Sequence, residues 1–379
     1  MLDKKTLQTQ LQQLIAIRSL SGQIPENSAV LDLIETLVNP QATVKRIKNK
    51  SAEILLISNI QNATDEQLMN PEFGYLVHVD VVAAKEELWT MKLGERTIRE
   101  KSNTETVALG RGVSDMKYSV PIGVSILNDL IKQKSNKTIT LAITTDEERG
   151  GFDGALYLAE NLKFRPQNLI VPDGGDNWKF VNKAKGILHI RVSCKGRAAH
   201  GSRPWQGKNA ISLLVKMLSK LLEKYEQNSF EPNWGTTMSP GVIKGGVSVN
   251  QVCDGALVEI DFRYPETTSI ENIVNEVKEI ATSVGAEVTV ETMASGLATY
   301  TNVDLPIVQK FVSTMQKHTH STIEIVPNYG GSDARHFASY NIPVLMMKPT
   351  GGDIHEDTEW ISLDSCLEYE RGLFEFITQ

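Results

Sequence analysis

Hydrophobic and polar positions along the first half of the chain follow an order of helices and strands. The opening segment predicts two helices, one from Leu7, Leu11, Leu14 and Ile15 at helical spacing and one over Ile24–Val38. Apolar runs that predict strands then alternate with amphipathic runs that predict helices: strands at Ala52–Ile60, Gly74–Val82, Thr138–Thr144 and Asn168–Val171, and helices at Val120–Lys132 and Ala155–Leu162. Because strands alternate with helices and some are continuously apolar, we expect an α/β sheet that is at least partly parallel.

From Gly186 the pattern changes to alternating strands and two long amphipathic helices. The predicted elements are a strand at Ile187–Ser193, a helix at Asn209–Glu226, strands at Val242–Gly246 and Ala256–Phe262, a helix at Ile270–Val284 and a strand at Glu287–Thr292. This βαββαβ order is typical of a ferredoxin-like domain.

After this segment the α/β character returns. The predicted elements are a helix at Pro306–Lys317, a strand at Ile323–Val326, a helix at Ala334–Ser339, a strand at Pro343–Met347 and a helix at Ser365–Ile377. We therefore expect one α/β domain in two parts, residues 1–185 and 296–379, interrupted by an inserted domain over residues 186–295.

Composition narrows the class of protein without indicating its chemistry. The 379 residues include 39 Lys and Arg against 46 Asp and Glu, a net charge of −7, which disfavours a nucleic-acid partner. With 41% hydrophobic and 22% charged residues the chain is an ordinary globular one, and no apolar run reaches the roughly 18 residues of a membrane span. The first residues lack the pattern of a signal peptide, and three scattered cysteines favour a reducing, cytoplasmic location over a disulfide framework.

Acidic and histidine residues collect where the predicted strands end. They are His78 and Asp80 in GYLVHVDVV, Asp115 in GRGVSDMK, Asp146, Glu147 and Glu148 in TLAITTDEERGG, Asp173 in NLIVPDGG and His355 in GGDIHEDTEW. Ligands of open α/β sheets bind outside the carboxyl ends of the strands, and adjacent carboxylates that repel one another are relieved by a cation. The set therefore predicts a metal site.

Taken singly, each of these residues has a purely structural explanation. The alternatives are a buried core histidine for His78, a helix N-cap for Asp115, a solvated turn for Glu147 and Glu148, a turn residue for Asp173 and an exposed loop histidine for His355. Their repeated placement at strand ends is what favours a common site.

The same motifs, in the same order, resemble one family of enzymes. HVD at 78–80, GRGVSDMK at 110–117, DEERGG at 146–151, PDGG at 172–175, AAHGSRPWQGKNAI at 198–211 and the late His355 are similar to the dinuclear zinc amidohydrolases. This group includes acetylornithine deacetylase, succinyl-diaminopimelate desuccinylase, aminoacylase, glutamate carboxypeptidase and related dipeptidases. The resemblance covers essentially the whole chain and implies a zinc-exopeptidase-like catalytic domain with a mixed, largely parallel sheet, interrupted by a lid and dimerisation domain.

The resemblance also implies roles for individual residues. Asp115 would bridge two divalent ions, with His78 and Asp173 completing one set of ligands and Glu148 and His355 the other. Asp80 would fix the tautomer of His78. Glu147 would act as general base on a metal-bridging water or hydroxide. Histidine and carboxylate ligands suit zinc, with manganese or cobalt as substitutes.

The resemblance suggests further residues outside this set. His200 in AAHGSRP would reach the active site of a partner subunit and stabilise the oxyanion, which would make the enzyme a homodimer; the plain alternative is a loop histidine. Arg263 and Asn250 match positions that hold substrate, although Arg263 is equally explained by a surface ion pair. Ser332 and Arg335 lie in GGSDARHF, a Gly-rich turn before a helix that could bind a substrate carboxylate, and His336 is expected to be structural.

The sequence thus predicts a metal-dependent hydrolase that cleaves an amide or peptide bond in a dipeptide or an N-acyl amino acid. An Asp rather than a Glu at 173 favours peptides within the family, whereas AAKEELW after HVDVV departs from its usual proline and Trp-rich turn. The alternatives are a biosynthetic N-acetyl or N-succinyl amino-acid deacylase and a catalytically silent binder of amino-acid derivatives. A protein whose strand-end acids only cap helices would bind no stoichiometric metal.

Overall fold

The computed structural model describes residues 1–98, 103–174, 177–226, 228, 232–319 and 322–379. The α-helices are α1 (Lys4–Ala16), α2 (Ile24–Leu37), α3 (Asp65–Met69), α4 (Ser119–Lys132), α5 (Ala155–Glu160), α6 (Ala210–Tyr225), α7 (Ile270–Ser283), α8 (Pro306–Thr319) and α9 (Leu363–Thr378). The first ten strands are β1 (Thr43–Asn49), β2 (Ala52–Ser58), β3 (Phe73–His78), β4 (Lys92–Ile98), β5 (Asn103–Leu109), β6 (Ile139–Thr144), β7 (Asn168–Val171), β8 (Phe180–Ala184), β9 (Gly186–Lys195) and β10 (Ala199–His200). The remaining strands are β11 (Thr237–Gly245), β12 (Gln251–Val252), β13 (Gly255–Tyr264), β14 (Glu287–Gly296), β15 (Thr299–Tyr300), β16 (Ile325–Asn328), β17 (Val344–Met346), β18 (Gly351–Gly352) and β19 (Trp360–Ser362).

The largest sheet is mixed, with strand order β1-β2-β6-β3-β7-β17-β8-β15 and β16 added beside β8. Its four central strands, β6, β3, β7 and β17, run parallel. The flanking strands β2 and β8 pair antiparallel with them. The α/β class predicted from the sequence is confirmed, and the parallel pairing lies in the centre of the sheet.

Side chains of the central strands alternate between two hydrophobic clusters, one on each face of the sheet. On β3, Tyr75 belongs to one cluster and Leu76 to the other, and both are buried. On β6, Leu141 and Ala142 divide in the same way. Helices α1, α2, α4, α8 and α9 supply the first cluster, whereas α5 and the 3₁₀ segment Asp333–Tyr340 supply the second. The sequences of the central strands are therefore continuously apolar, because both faces of the sheet are covered by other elements.

A smaller antiparallel sheet has the order β18-β19-β5-β4. The sequence patterns did not predict β4 or β5; β4 (KLGERTI) is largely polar, and only its last residue, Ile98, is buried. Pairing of β19 with β5 places Trp360 opposite Leu109. The segment after Leu109, which carries Asp115, is thereby brought beside the segment before Trp360, which carries His355.

The chain separates into two compact units. The first contains Met1–Asn182, Tyr300–Asn328 and Ser332–Gln379, and the second contains Lys183–Thr299 and Tyr329–Gly331. The second unit holds a four-stranded antiparallel sheet of order β11-β13-β9-β14, and its helices α6 and α7 supply core residues to the cluster on one face. Order and topology are those of the ferredoxin-like pattern. Across the part of the chain that the structure describes, no helix combines the length and apolarity that a membrane span requires.

Candidate metal centre

The site lies in the first unit, at the carboxyl edge of the central parallel strands. β3 ends at His78, and its parallel neighbour β6 ends opposite it at Thr144, just before Glu147 and Glu148. β7, the parallel neighbour on the other side, leads to Asp173. Parallel strands bring their carboxyl ends to one edge, so residues far apart in sequence meet there. Gly175, the last residue of the PDGG motif, lies outside the described residues.

Asp115 stands between two histidines. Its Oδ1 lies 3.1 Å from His78 Nε2, and its Oδ2 lies 3.1 Å from His355 Nε2. His355 Nε2 is also 3.2 Å from Glu148 Oε2. The structure thus gathers two groups of possible metal ligands that share Asp115, one with His78 and Asp173 and one with Glu148 and His355. Within each group the ligand atoms all lie within 4.8 Å of one another.

These groups shift one another's pKa values strongly. Burial would raise the pKa of Asp115, but hydrogen bonds from His355 and His78 outweigh it and hold that pKa well below its usual range. Hydrogen bonds to Asp115 and Glu148 raise the pKa of His355 to about 10. Burial, followed by the charge of Asp115, raises the pKa of Asp173 to about 6. A dication would relieve this repulsion between carboxylates, and nitrogen with carboxylate oxygen is a donor set that suits zinc. The residues present therefore fit a divalent metal.

His78 is oriented by the main chain. Its Nδ1 lies 3.0 Å from the carbonyl oxygen of Asp80 and 3.6 Å from the carboxylate Oδ1 of the same residue. A carbonyl oxygen only accepts hydrogen bonds, so the neutral imidazole carries its proton on Nδ1 and leaves Nε2 free to act as a ligand.

The carboxylate of Asp80 holds the loop that carries the two acids. Its Oδ1 accepts the main-chain N–H of Glu147, and its Oδ2 accepts that of Glu148, both at 3.1 Å. The side chain is fully buried, and burial raises its pKa. Asp80 therefore positions Glu147 and Glu148 directly, in addition to lying beside His78.

Glu147 lies among charges of both signs. Burial raises the pKa of its carboxyl well above the usual value; His78 and Arg335 act to lower that pKa, whereas Asp333 and Asp173 act to raise it. A carboxylate with a raised pKa is a stronger base.

The segment Ser332–Tyr340 follows the Gly-rich turn and forms a 3₁₀ helix from Asp333 onward. Asp333 occupies the first turn and is buried, with its pKa raised to about 7 by burial and by Asp146. A carboxylate in this first turn disfavours anion binding by the helix N-terminus. The proposed binding of a substrate carboxylate by Ser332 and Arg335 stays a prediction. His336 Nε2 donates to the carbonyl of Gly150 at 2.9 Å, and burial lowers its pKa to about 4.

Three predicted residues, His200, Asn250 and Arg263, belong to the second unit. His200 is exposed on β10, with Nδ1 2.8 Å from Ser202 Oγ. The main-chain carbonyl of Asn250 accepts the N–H of Gly201 at 2.7 Å. Arg263 Nε donates to Asp261 Oδ1 at 3.0 Å. This is an ion pair of the kind that would explain Arg263 without a role in substrate binding. Their roles in substrate binding and catalysis stay predictions.

The sequence patterns did not single out three buried charged residues near the site, Arg111, Lys117 and Glu359. Arg111 and Glu359 form a buried ion pair with Nη1 2.7 Å from Oε2. Lys117 is also buried and donates to the carbonyls of Leu14 (3.0 Å) and Ile17 (2.9 Å) where α1 ends. A signal was present in each case, because each charge lies within two residues of buried apolar residues: Val113, Met116 and Trp360 respectively.

Comparison with known proteins decides the family. Residues 74–379 match the family described as peptidase family M20/M25/M40. The chain belongs to that family. The M20 assignment confirms the predicted resemblance and the predicted hydrolase activity, and it implies that the chain binds divalent metal.

Relatives within the M20 family are distant. The chain is 26% identical over 306 residues to a succinyl-diaminopimelate desuccinylase of Hydrogenovibrio crunogenus, covering 77% of this chain and 79% of that protein. It is 27% identical over 217 residues to an acetylornithine deacetylase of Edwardsiella ictaluri, covering 55% of each. The crystal structure of aminopeptidase PepT from Bacillus cereus matches with a TM-score of 0.78 at 18% identity, covering 99% of this chain and 98% of that one. At that identity the last likeness shows the fold alone.

Proposed function

We propose that this chain is a metal-dependent amide hydrolase that cleaves a dipeptide or an N-acyl amino acid. The observation that carries the proposal is the sharing of Asp115 between two ligand groups, one completed by His78 and Asp173 and the other by Glu148 and His355. A shared carboxylate between two three-ligand groups is the arrangement expected of a dinuclear hydrolase. We propose two zinc ions per chain, with manganese or cobalt able to substitute.

When bound, two divalent ions would supply Lewis-acid polarisation of the scissile carbonyl and acidify the attacking water. Glu147 would accept the proton that this water loses on attack and would deliver it to the leaving amine. Asp80 would hold Glu147 in place through the N–H contact at 3.1 Å. The raised pKa of Glu147 supports its role, because the same carboxyl must first take up and then release a proton.

Two observations bear on the substrate class. Asp173 favours a peptide, whereas the desuccinylase and deacetylase relatives favour an N-acyl amino acid. Arg335, whose charge acts on Glu147, and the buried Ser332 are proposed to hold a substrate carboxylate. Arg263 and Asn250 are proposed as further substrate-binding residues.

We propose that the enzyme is a homodimer formed through the second unit. β11 is an edge strand of its sheet and is exposed along most of its length. Ile243 on β11 is 57% exposed, and Val215 on the neighbouring helix α6 is 52% exposed. An exposed edge strand that carries apolar side chains such as Ile243 can pair with the same strand of a second copy. His200 would then act in the active site of the partner subunit.

We also propose a cytoplasmic location. Its support is that all three cysteines of the sequence are free thiols, each of them buried.

The experiment that tests the function compares metal content with turnover. Protein purified without chelator is expected to hold up to two zinc ions per chain. A screen of dipeptides against N-acetyl and N-succinyl amino acids, with zinc, manganese or cobalt supplied, identifies the substrate. Glu147→Gln is expected to keep its metal and lose about 100- to 10,000-fold in kcat. Absence of metal, or Glu147→Gln turnover near that of the wild type, contradicts the mechanism. Metal binding without turnover of any substrate favours a silent binder.

A further inference from the structure

Glu359 is a buried carboxylate that accepts four hydrogen bonds from the segment carrying Asp115. Its Oε1 accepts the main-chain N–H of Ser114 at 2.9 Å and of Asp115 at 3.1 Å. Its Oε2 accepts the N–H of Gly112 at 3.0 Å and a guanidinium N–H of Arg111 at 2.7 Å. The side chain of Glu359 is fully enclosed.

Arg111 extends this contact to the second ligand segment. Its Nη2 donates to the main-chain carbonyl of His355 at 3.2 Å, and the side chain is 3% exposed. One ion pair thus touches the backbone of two proposed ligands, Asp115 and His355. Neither Glu359 nor Arg111 belongs to either ligand group.

The two ligand groups differ in how firmly the fold holds them. His78 is a buried residue at the end of β3, between two parallel neighbours. His355 lies in a loop with its side chain half exposed and its backbone in the left-handed region at φ 64°. A loop ligand depends more on neighbouring contacts for its position, and losing such contacts commonly weakens metal binding about 10- to 100-fold.

We propose that Glu359 is a positioning residue for the metal subsite formed by Asp115, Glu148 and His355. It acts through the N–H of Asp115 and, by way of Arg111, through the carbonyl of His355. This inference rests on the metal-dependent function proposed above. It assigns to Glu359, which is proposed to touch neither metal nor substrate, an effect on the zinc affinity of one subsite. Replacing Glu359 by Gln puts an amide N–H₂ where two N–H donors need an acceptor, and it leaves Arg111 buried without its counter-charge.

The test is metal titration of Glu359→Gln by calorimetry, starting from protein stripped of metal. The matched control is Glu370→Gln, because Glu370 is equally buried, is likewise an acceptor of a main-chain N–H, and contacts Leu2 rather than the site. We expect one of the two zinc dissociation constants of Glu359→Gln to rise about 10- to 100-fold, with a smaller change in the other. High zinc concentration should restore turnover, which a general loss of folding would prevent.

Hydrogen–deuterium exchange provides a readout independent of metal. Peptides covering residues 110–118 should exchange faster in Glu359→Gln than in the wild type or Glu370→Gln, with and without zinc. Unchanged constants and unchanged exchange overturn the proposal, and so does an equal rise of both constants. If Glu359→Gln does not fold, Arg111→Lys replaces it as the test variant. This substitution keeps the positive charge but removes the bidentate guanidinium, so we expect weaker zinc binding at the same subsite. Failure of the wild type to bind zinc refutes the proposed function instead, while the exchange experiment still tests the contacts of Glu359.

Discussion

Asp80 Oδ1 accepts the main-chain N–H of Glu147 at 3.1 Å, so a residue from one strand end holds the proposed catalytic base of the next. His78, two residues earlier, makes its Nδ1 contact with the main-chain carbonyl of Asp80 rather than depending on the carboxylate. The orientation of His78 therefore depends on the main-chain carbonyl of Asp80, whereas the position of Glu147 depends on the Asp80 carboxylate.

Asp80→Asn should separate these two roles. The amide oxygen can still accept one of the N–H groups of Glu147 and Glu148, but the amide N–H₂ faces the other without an acceptor. The contact between His78 and the main-chain carbonyl of Asp80 is unaffected. We expect kcat to fall about 10- to 100-fold while zinc affinity stays near that of the wild type. Steady-state kinetics and zinc titration measure both, with the exposed Asp357→Asn as control. A large loss of zinc affinity instead would show that the carboxylate acts mainly through His78.

His336 should make the metal-free protein sensitive to acid. Its pKa of about 4 when folded lies below the value of roughly 6.5 expected on unfolding, because burial disfavours the imidazolium beside Arg335. The unfolded chain therefore binds the extra proton between pH 6.5 and 4. The stabilisation is complete above pH 6.5 and is lost as pH falls through this window, amounting to about 2 kcal/mol between pH 7 and 5.

Urea denaturation of the wild type and His336→Gln at pH 7 and pH 5 checks this prediction. Asp333, whose pKa is raised to about 7 when folded, acts in the opposite direction over the same range, so the difference between the two proteins is the informative quantity. The wild type should lose more stability on acidification than His336→Gln. Equal losses would mean that His336 is not buried as a neutral imidazole.

Gly151 should tolerate no side chain. A Cβ there would lie 2.0 Å from Asp333 Oδ1, and the backbone φ of +63° is already unfavourable for other residues. Gly285 is the matched control, because its φ is +70° but nothing lies within 4 Å of a Cβ. We expect Gly285→Ala to lose about 1–2 kcal/mol, and Gly151→Ala to lose about 1–3 kcal/mol more and to disturb the neighbouring Glu147 loop. Thermal unfolding and turnover measure both; equal stability of the two variants contradicts the close approach to Asp333.

His200 should act across the proposed dimer. His200→Ala is expected to lose about 100- to 1,000-fold in kcat, the usual effect of removing an oxyanion donor. After mixing with Glu147→Ala and exchange of subunits, half of the dimers are mixed and one of their two sites is complete. Recovery should therefore approach about a quarter of wild-type activity. His189→Ala, from β9 of the same unit, is the control and should remain active alone. No recovery in the mixture would count against action in trans.

The sequence patterns predicted the central part of this molecule well. The predicted strand at residues 168–171 coincides with β7, and the predicted helix at 24–38 ends within one residue of α2. Buried parallel strands are continuously apolar, and a run of apolar residues can be recognised from neighbouring sequence positions alone. β1 and β4 escaped prediction because they are polar and partly exposed, and their pairing partners alone make them strands.

The sequence by itself determined which residues could form the site, because His78, Glu147, Glu148 and Asp173 follow apolar strands whose ends must meet. Only the tertiary structure decided that Asp115 stands between two histidines, that the Asp80 carboxylate holds the Glu147 loop, and that Glu359 supports Asp115 from behind. The contacts of Asp80 and Glu359 end on main-chain N–H groups, which every residue but proline carries. No side-chain pattern marks such a partner, and it becomes visible only when distant segments are brought together by sheet pairing.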